Sequence, residues 1–241
     1  MNKILIAGIL CFTLSFELTA QSNPEDFIDR KFFNIALVNN NPYGNFRKGL
    51  KSEYVKYSSN GITMSYFFNP LYNSSLNNKV FIGVEVGFSN IQQSKFKNYP
   101  PDGDFYMGHN EIWTNLAARY RPQTLISNFN PYLEAFIGPR IFNSKMMERF
   151  GEGEIKKVEG FLSSTINYGL NLGCGYKISK NSHSATYFDV NLGLLQANAV
   201  KLVNRNIVGL DNDYYVIGAK TVLKPQNVVL KLGITKYLQG R

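Results

Sequence analysis

The chain has 241 residues, a formal net charge of +9, 18% charged and 14% aromatic residues. The length allows one large all-β domain or two small ones. The positive balance forms no basic stripe of the kind nucleic-acid binders carry, so nucleic acid is not an expected partner. Lys and Arg fall instead in presumed turns and loops, as at Arg47, Lys48 and Lys51 or Lys156 and Lys157, where they suit solubility or an acidic surface partner.

The start reads as a signal peptide. Lys3 supplies a positive head, residues 4–14 an apolar stretch too short for a membrane helix, and Leu18-Thr19-Ala20 a junction before Gln21. Cleavage after Ala20 leaves residues 21–30 as a short periplasmic lead and 31–241 as the working domain. Cys11 leaves with the leader. Cys174 then stands alone, without an internal disulfide, as a small hydrophobe.

Residues 31–38 form the first strand, with Phe33, Ile35 and Leu37 on one face. Residues 39–60 are loop-like. The second strand, 61–69, points Ile62, Met64, Tyr66 and Phe68 one way and Thr63 and Ser65 the other. In the third, 79–90, Val80, Ile82, Val84, Val86 and Phe88 alternate with Gly83, Glu85, Gly87 and Ser89. After a loop over 91–108, strand four (109–121) sets Ile112, Leu116, Ala118 and Tyr120 against Glu111, Asn115, Ala117 and Arg119. Strand five (131–142) sets Leu133, Ala135, Ile137 and Ile141 against Tyr132, Glu134, Gly138 and Arg140; Pro139 predicts a bulge or local break, because proline has no ladder donor.

A charged loop over 143–160 leads to the cleanest alternation, residues 165–178. Ile166, Tyr168, Leu170, Leu172, Cys174, Tyr176 and Ile178 share one face; Thr165, Asn167, Gly169, Asn171, Gly173, Gly175 and Lys177 share the other. Period two marks a strand, about twice an average length. A tilted transmembrane strand needs about nine to eleven such residues. Strand seven (185–197) turns Phe188, Val190, Leu192 and Leu194 out and Asp189 and Asn191 in. The last, 227–238, turns Val228, Leu230, Leu232 and Ile234 out and Lys231, Gly233, Thr235 and Tyr237 in.

No later segment offers about twenty consecutive apolar residues, so a membrane-embedded form has to be a closed barrel without sheet edges. The connections alternate long and short, as in up-and-down outer-membrane barrels. Eight antiparallel strands are expected; ten result if 214–223 and 50–58 also cross. Aromatics near strand ends (Tyr66 to Phe68, Phe88, Tyr120, Phe142, Tyr176, Tyr187 and Phe188) match interfacial girdles.

With its leader and strands of the type VFIGVEVGF, YLEAFIGPRIF and YGLNLGCGYKI, the chain resembles the outer-membrane β-barrel family of Bacteroidota, similar in build to small OmpA-type and OmpX-type barrels. The resemblance runs from Lys31 to the C-terminus. It implies an all-β transmembrane barrel and an outer-membrane location, with lipopolysaccharide and other outer-membrane lipids as surroundings, and transfers no catalytic signature.

The charges expected inside are Glu85, Glu111, Arg119, Glu134, Arg140, Lys177, Asp189 and Lys231. An eight-stranded barrel is just wide enough for side chains to fill, and buried charges have to pair. Across the turn near 125–126, Arg119 falls opposite Glu134 and Glu111 diagonal to Arg140; across 179–184, Lys177 falls diagonal to Asp189. Either these form a plug of ion pairs or they line a narrow path. His109 and His183 stand at opposite ends, and His109 with Glu111 is an incomplete catalytic pair, so neither an enzyme nor a metal or other cofactor is expected. Gly169, Gly173 and Gly175 lie mid-strand and are no phosphate loop. Two functions fit: a structural or interaction protein acting through its loops, with another envelope protein as a possible partner, or a porin-like pore or barrel subunit of a transport or secretion assembly.

Overall fold

The computed structural model describes residues 28–50, 59–71, 79–97, 103–122, 128–150, 156–180, 184–210 and 216–240. The expected leader, His183 and residues 51–58 lie outside them. Ten strands and one helix follow: β1 (Ile28–Pro42), α1 (Gly44–Leu50), β2 (Ser59–Phe68), β3 (Val80–Lys97), β4 (Gly103–Tyr120), β5 (Phe129–Phe150), β6 (Lys156–Lys180), β7 (Ser184–Ala197), β8 (Val200–Leu210), β9 (Val216–Leu223) and β10 (Gln226–Gly240).

Eight of these strands close an antiparallel barrel in the order β1-β10-β7-β6-β5-β4-β3-β2. The ten-stranded alternative is overturned: β9 pairs with β8 in a separate two-stranded sheet, outside the wall. The connections after β2, β4 and β6 share one end with both strand termini, β1 starting and β10 ending there. The opposite end, where the sequence places its long loops, carries α1, the β8–β9 sheet and the far ends of β3 to β6.

Period-two burial runs along the wall: inward residues are buried and outward apolar residues, such as Met64, Val86, Leu170 and Leu192, are exposed. Among the described residues no helix is long and apolar enough to cross a membrane. The strands begin and end elsewhere than the sequence suggests. β1 starts three residues earlier and takes in the end of the expected lead, while the loops expected at 91–108 and 143–160 are largely continuations of β3, β4, β5 and β6 beyond the barrel rim. There the backbone ladder persists, with Gly103 still opposite Phe150, although the composition reads as loop. The Asn- and Gly-rich segment after β1 holds α1, entered through Gly44 at φ 60°, a left-handed conformation that favours glycine.

Pro139 breaks the β4–β5 ladder without shifting it. Trp113 pairs with Arg140 and Leu116 with Ile137, the same register on both sides of the gap. True bulges fall at Asn90/Gln92 and Lys177/Ser179.

Candidate functional site

The interior is a stack of layers. At the short-turn end Phe32 stacks on Phe67 with centroids 4.6 Å apart, and Phe81 and Tyr237 meet Phe32 at 5.2 and 4.8 Å. The Arg121 guanidinium lies 4.7 Å above Tyr237 and 5.3 Å above Phe81. Phe67, Phe142 and Tyr187 are thus buried inside and do not belong to an outer girdle, whereas Tyr66, Phe68, Phe88, Tyr176 and Phe188 are exposed on the outer wall.

Arg119 and Glu134 follow. They are directly opposite in register. Arg119 Nε and Nη2 donate to Glu134 Oε2 at 2.9 and 2.8 Å. The guanidinium lies over the Tyr132 ring at 3.8 Å and the Phe32 ring at 4.6 Å, a geometry in which ring faces stabilise the cation. Asn171 donates to the other Glu134 oxygen at 2.7 Å. Asp189 accepts from the Tyr132 hydroxyl and from Thr235 at 2.7 Å, with Arg119 Nη1 at 4.0 Å.

One layer higher, Lys231 forms an ion pair with Glu85, which also accepts from Trp113 Nε1 and Asn115, each at 3.2 Å. Higher again, Arg140 Nε donates to Glu111 Oε2 at 2.8 Å, and Asn40 donates to Oε1 at 2.8 Å. Ser89 donates to the same Oε1. Arg140 has 0% of its surface exposed. His109 Nδ1 lies 2.8 Å from Ser144 Oγ, and both residues are buried. Phe142, opposite Glu111 in register, packs with Phe46 of α1, Val200 and Leu202 of β8 and Leu223 of β9, an apolar lid at the long-loop end. Tyr43 N–H donates to the Gln226 carbonyl at 2.9 Å and ties α1 to β10.

Of the eight predicted interior charges, the layers contain seven. Lys177 is the exception. It keeps the expected register, opposite Tyr187 and diagonal to Asp189, but sits half-buried at the last regular pair before the Ile178 bulge, while Asp189 is held by Tyr132, Thr235 and Arg119. Sequence reasoning placed Tyr132 and Tyr237 inward and missed Arg121, Phe67, Phe81 and Trp113. Four acids (Glu85, Glu111, Glu134, Asp189) and four strong bases (Arg119, Arg121, Arg140, Lys231) are buried among the described residues. Their formal charges cancel among the described residues.

Among the described residues two small interior cavities are found, a polar one bordered by Asn34, Arg119 and Asp189 and a mixed one bordered by Asn40, Trp113 and Arg140; each has about 10 Å³, room for about one water. Inward glycines sit where neighbouring rings need space: a Cβ on Gly173 would lie 2.1 Å from Tyr132 Cζ, and one on Gly87 2.1 Å from the Trp113 ring. Among the described residues no group of three or more His, Cys, Asp or Glu is arranged to hold a metal ion. The Ser144–His109 pair is buried, and Glu111 is engaged by Arg140, Asn40 and Ser89.

No family model matches the chain, and no curated protein sequence does. Solved structures do. Neisserial surface protein A is 12% identical, with 87% of this chain and 97% of that one covered and a TM-score of 0.46. Ail, the attachment invasion locus protein of Yersinia pestis, is 11% identical over the same shares, with a TM-score of 0.45. The outer membrane protein OprG from Pseudomonas aeruginosa is 12% identical, with 90% of this chain and all 100% of that one covered and a TM-score of 0.44.

Proposed function

We propose that the chain is an outer-membrane β-barrel with a side-chain-filled interior, acting as a structural or interaction protein through its long-loop end. The observation that carries this is the charge-balanced, buried interior beneath an apolar outer wall. The outward apolar row of β6 runs from Ile166 to Ile178, about 40 Å along a strand at ~3.3 Å per residue. Tilted by about 45°, it rises about 28 Å, close to the roughly 30 Å hydrocarbon core of a bilayer. Exposed leucine, isoleucine and phenylalanine all round such a wall suit lipid contact.

Inside, the ion pairs take the place that solvent or solute would need. Desolvating these charges is tolerable only because each finds partners, so the stack fixes wall register and, among the described residues, fills the interior. The paired continuations of β3 to β6 beyond the rim offer a stiff backbone surface for another envelope protein.

Recording from planar bilayers tests the filled interior. Vesicle-inserted protein, with insertion verified by slower gel migration after heating, is expected to give no stable conductance steps. Stable, reproducible steps would favour the pore or transport-subunit reading.

A further inference from the structure

The outer wall changes character at one place on the short-turn end. Around most of that rim the outward residues are aromatic or aliphatic, as with Tyr66, Phe68, Ile82, Phe129 and Tyr176. On the run β6-β7-β10-β1, where the barrel closes, polar residues stand among the apolar ones, with Ile178 and Leu238 exposed beside them. Ser179 pairs with Thr186, Thr186 with Lys236, and Lys236 with Phe33. Three neighbouring strands, about 4.8 Å apart, thus hold two hydroxyls and an ammonium in one row. Lys31, two residues before Phe33 on β1, is diagonal to Lys236.

Lys31, Lys236 and Ser179 are exposed, and Thr186 is half-buried. Two ammonium groups this close repel each other, a cost that an anion between them removes. Phe33 ends the row on β1, and directly above it the wall is apolar again, with Ile35, Phe188 and Ile234 exposed. Further up the same seam an apolar groove of about 190 Å³ lies between Leu37, Leu230 and Leu232. From Lys31 to Leu37 the strand covers about 20 Å, a span that an extended acyl chain follows.

We infer that this seam holds an anionic phospholipid of the leaflet at the short-turn end. The ammonium groups of Lys31 and Lys236 take the phosphate oxygens, Ser179 and Thr186 donate hydrogen bonds to them, and the acyl chains lie along β1 and β10. The inference rests on the membrane placement proposed above and adds to it a defined site and a lipid charge. Long lysine stems suit this place, since they cover apolar surface while the charge reaches the headgroup layer.

The test uses the full chain inserted in vesicles of equal phosphatidylcholine and phosphatidylglycerol, floated with them, then released and weighed intact with its retained lipids. Wild type is expected to retain phosphatidylglycerol selectively. Lys31→Gln with Lys236→Gln is expected to lower that retention on the order of tenfold, while Lys201→Gln with Lys224→Gln, exposed positions at the opposite end, leaves it unchanged. Equal retention by the seam variant overturns the site. So does displacement of the lipid by excess inorganic phosphate, which would mark a free-phosphate site. A chain that does not float with the vesicles contradicts the membrane placement itself, a result distinct from either.

Discussion

Arg119→Ala is expected to lower folding stability by about 3 to 5 kcal/mol, the largest loss from any single truncation proposed for this barrel. The substitution leaves Glu134, 2% exposed, with a carboxylate that keeps its hydrogen bond from Asn171 and loses its cation. It also removes the planar group lying over the Tyr132 and Phe32 rings. Glu134→Ala is expected to cost somewhat less, because the Arg119 cation keeps both rings and has Asp189 at 4.0 Å. The double substitution removes both charges and is expected to recover part of the loss, with a coupling of about 0.5 to 3 kcal/mol. Urea unfolding in the presence of lipid vesicles measures all three. Simple additivity would mean that the two side chains do not meet, and the register across the β4–β5 turn would be wrong.

The second large effect is expected at Gly173. Gly173→Ala puts a methyl group 2.1 Å from Tyr132 Cζ and 2.4 Å from its hydroxyl, far inside contact distance. The ring cannot swing freely, because its hydroxyl bonds Asp189 and accepts from Asn191 at 3.3 Å. Overpacking of this kind costs about 1 to 3 kcal/mol. Tyr132→Leu in the same chain removes the obstructing atoms, so the pair is expected to lose less than the sum of its single variants, again by urea unfolding. A neutral Gly173→Ala would show that the ring lies elsewhere.

Much of the wall was legible because each strand alternates strictly. Arg119 and Glu134 could be matched because a short turn fixes the register of their strands, and Glu111 with Arg140 followed from the same count. Lys177 also kept its register, opposite Tyr187 and diagonal to Asp189, but it is only half-buried at the last regular pair before the Ile178 bulge, and nothing in the Ile178 side chain announces that bulge. The aromatic layer was hidden for another reason. Phe67 and Phe68 are chemically identical, and only parity sends one inward beside Phe32 and the other to the outer face. The lid was invisible because α1 starts in a glycine-containing run that reads as loop, and because Phe46, Leu202 and Leu223 are far apart in sequence. The extensions of β3 to β6 were masked by polar composition, since their pairing beyond the rim rests on backbone hydrogen bonds more than on a buried face.

Labelling of the native Cys174 tests the central claim, that the outer face of this wall lies in lipid. Cys174 is the one cysteine among the described residues, half-buried on the outward row of β6 between Leu172 and Tyr176. In vesicles it is expected to react readily with a membrane-soluble maleimide and slowly with a charged, impermeant one, and to react equally with both once the chain is unfolded in urea. Equal reaction with both reagents in folded, vesicle-bound protein would put this face in water and contradict the transmembrane barrel.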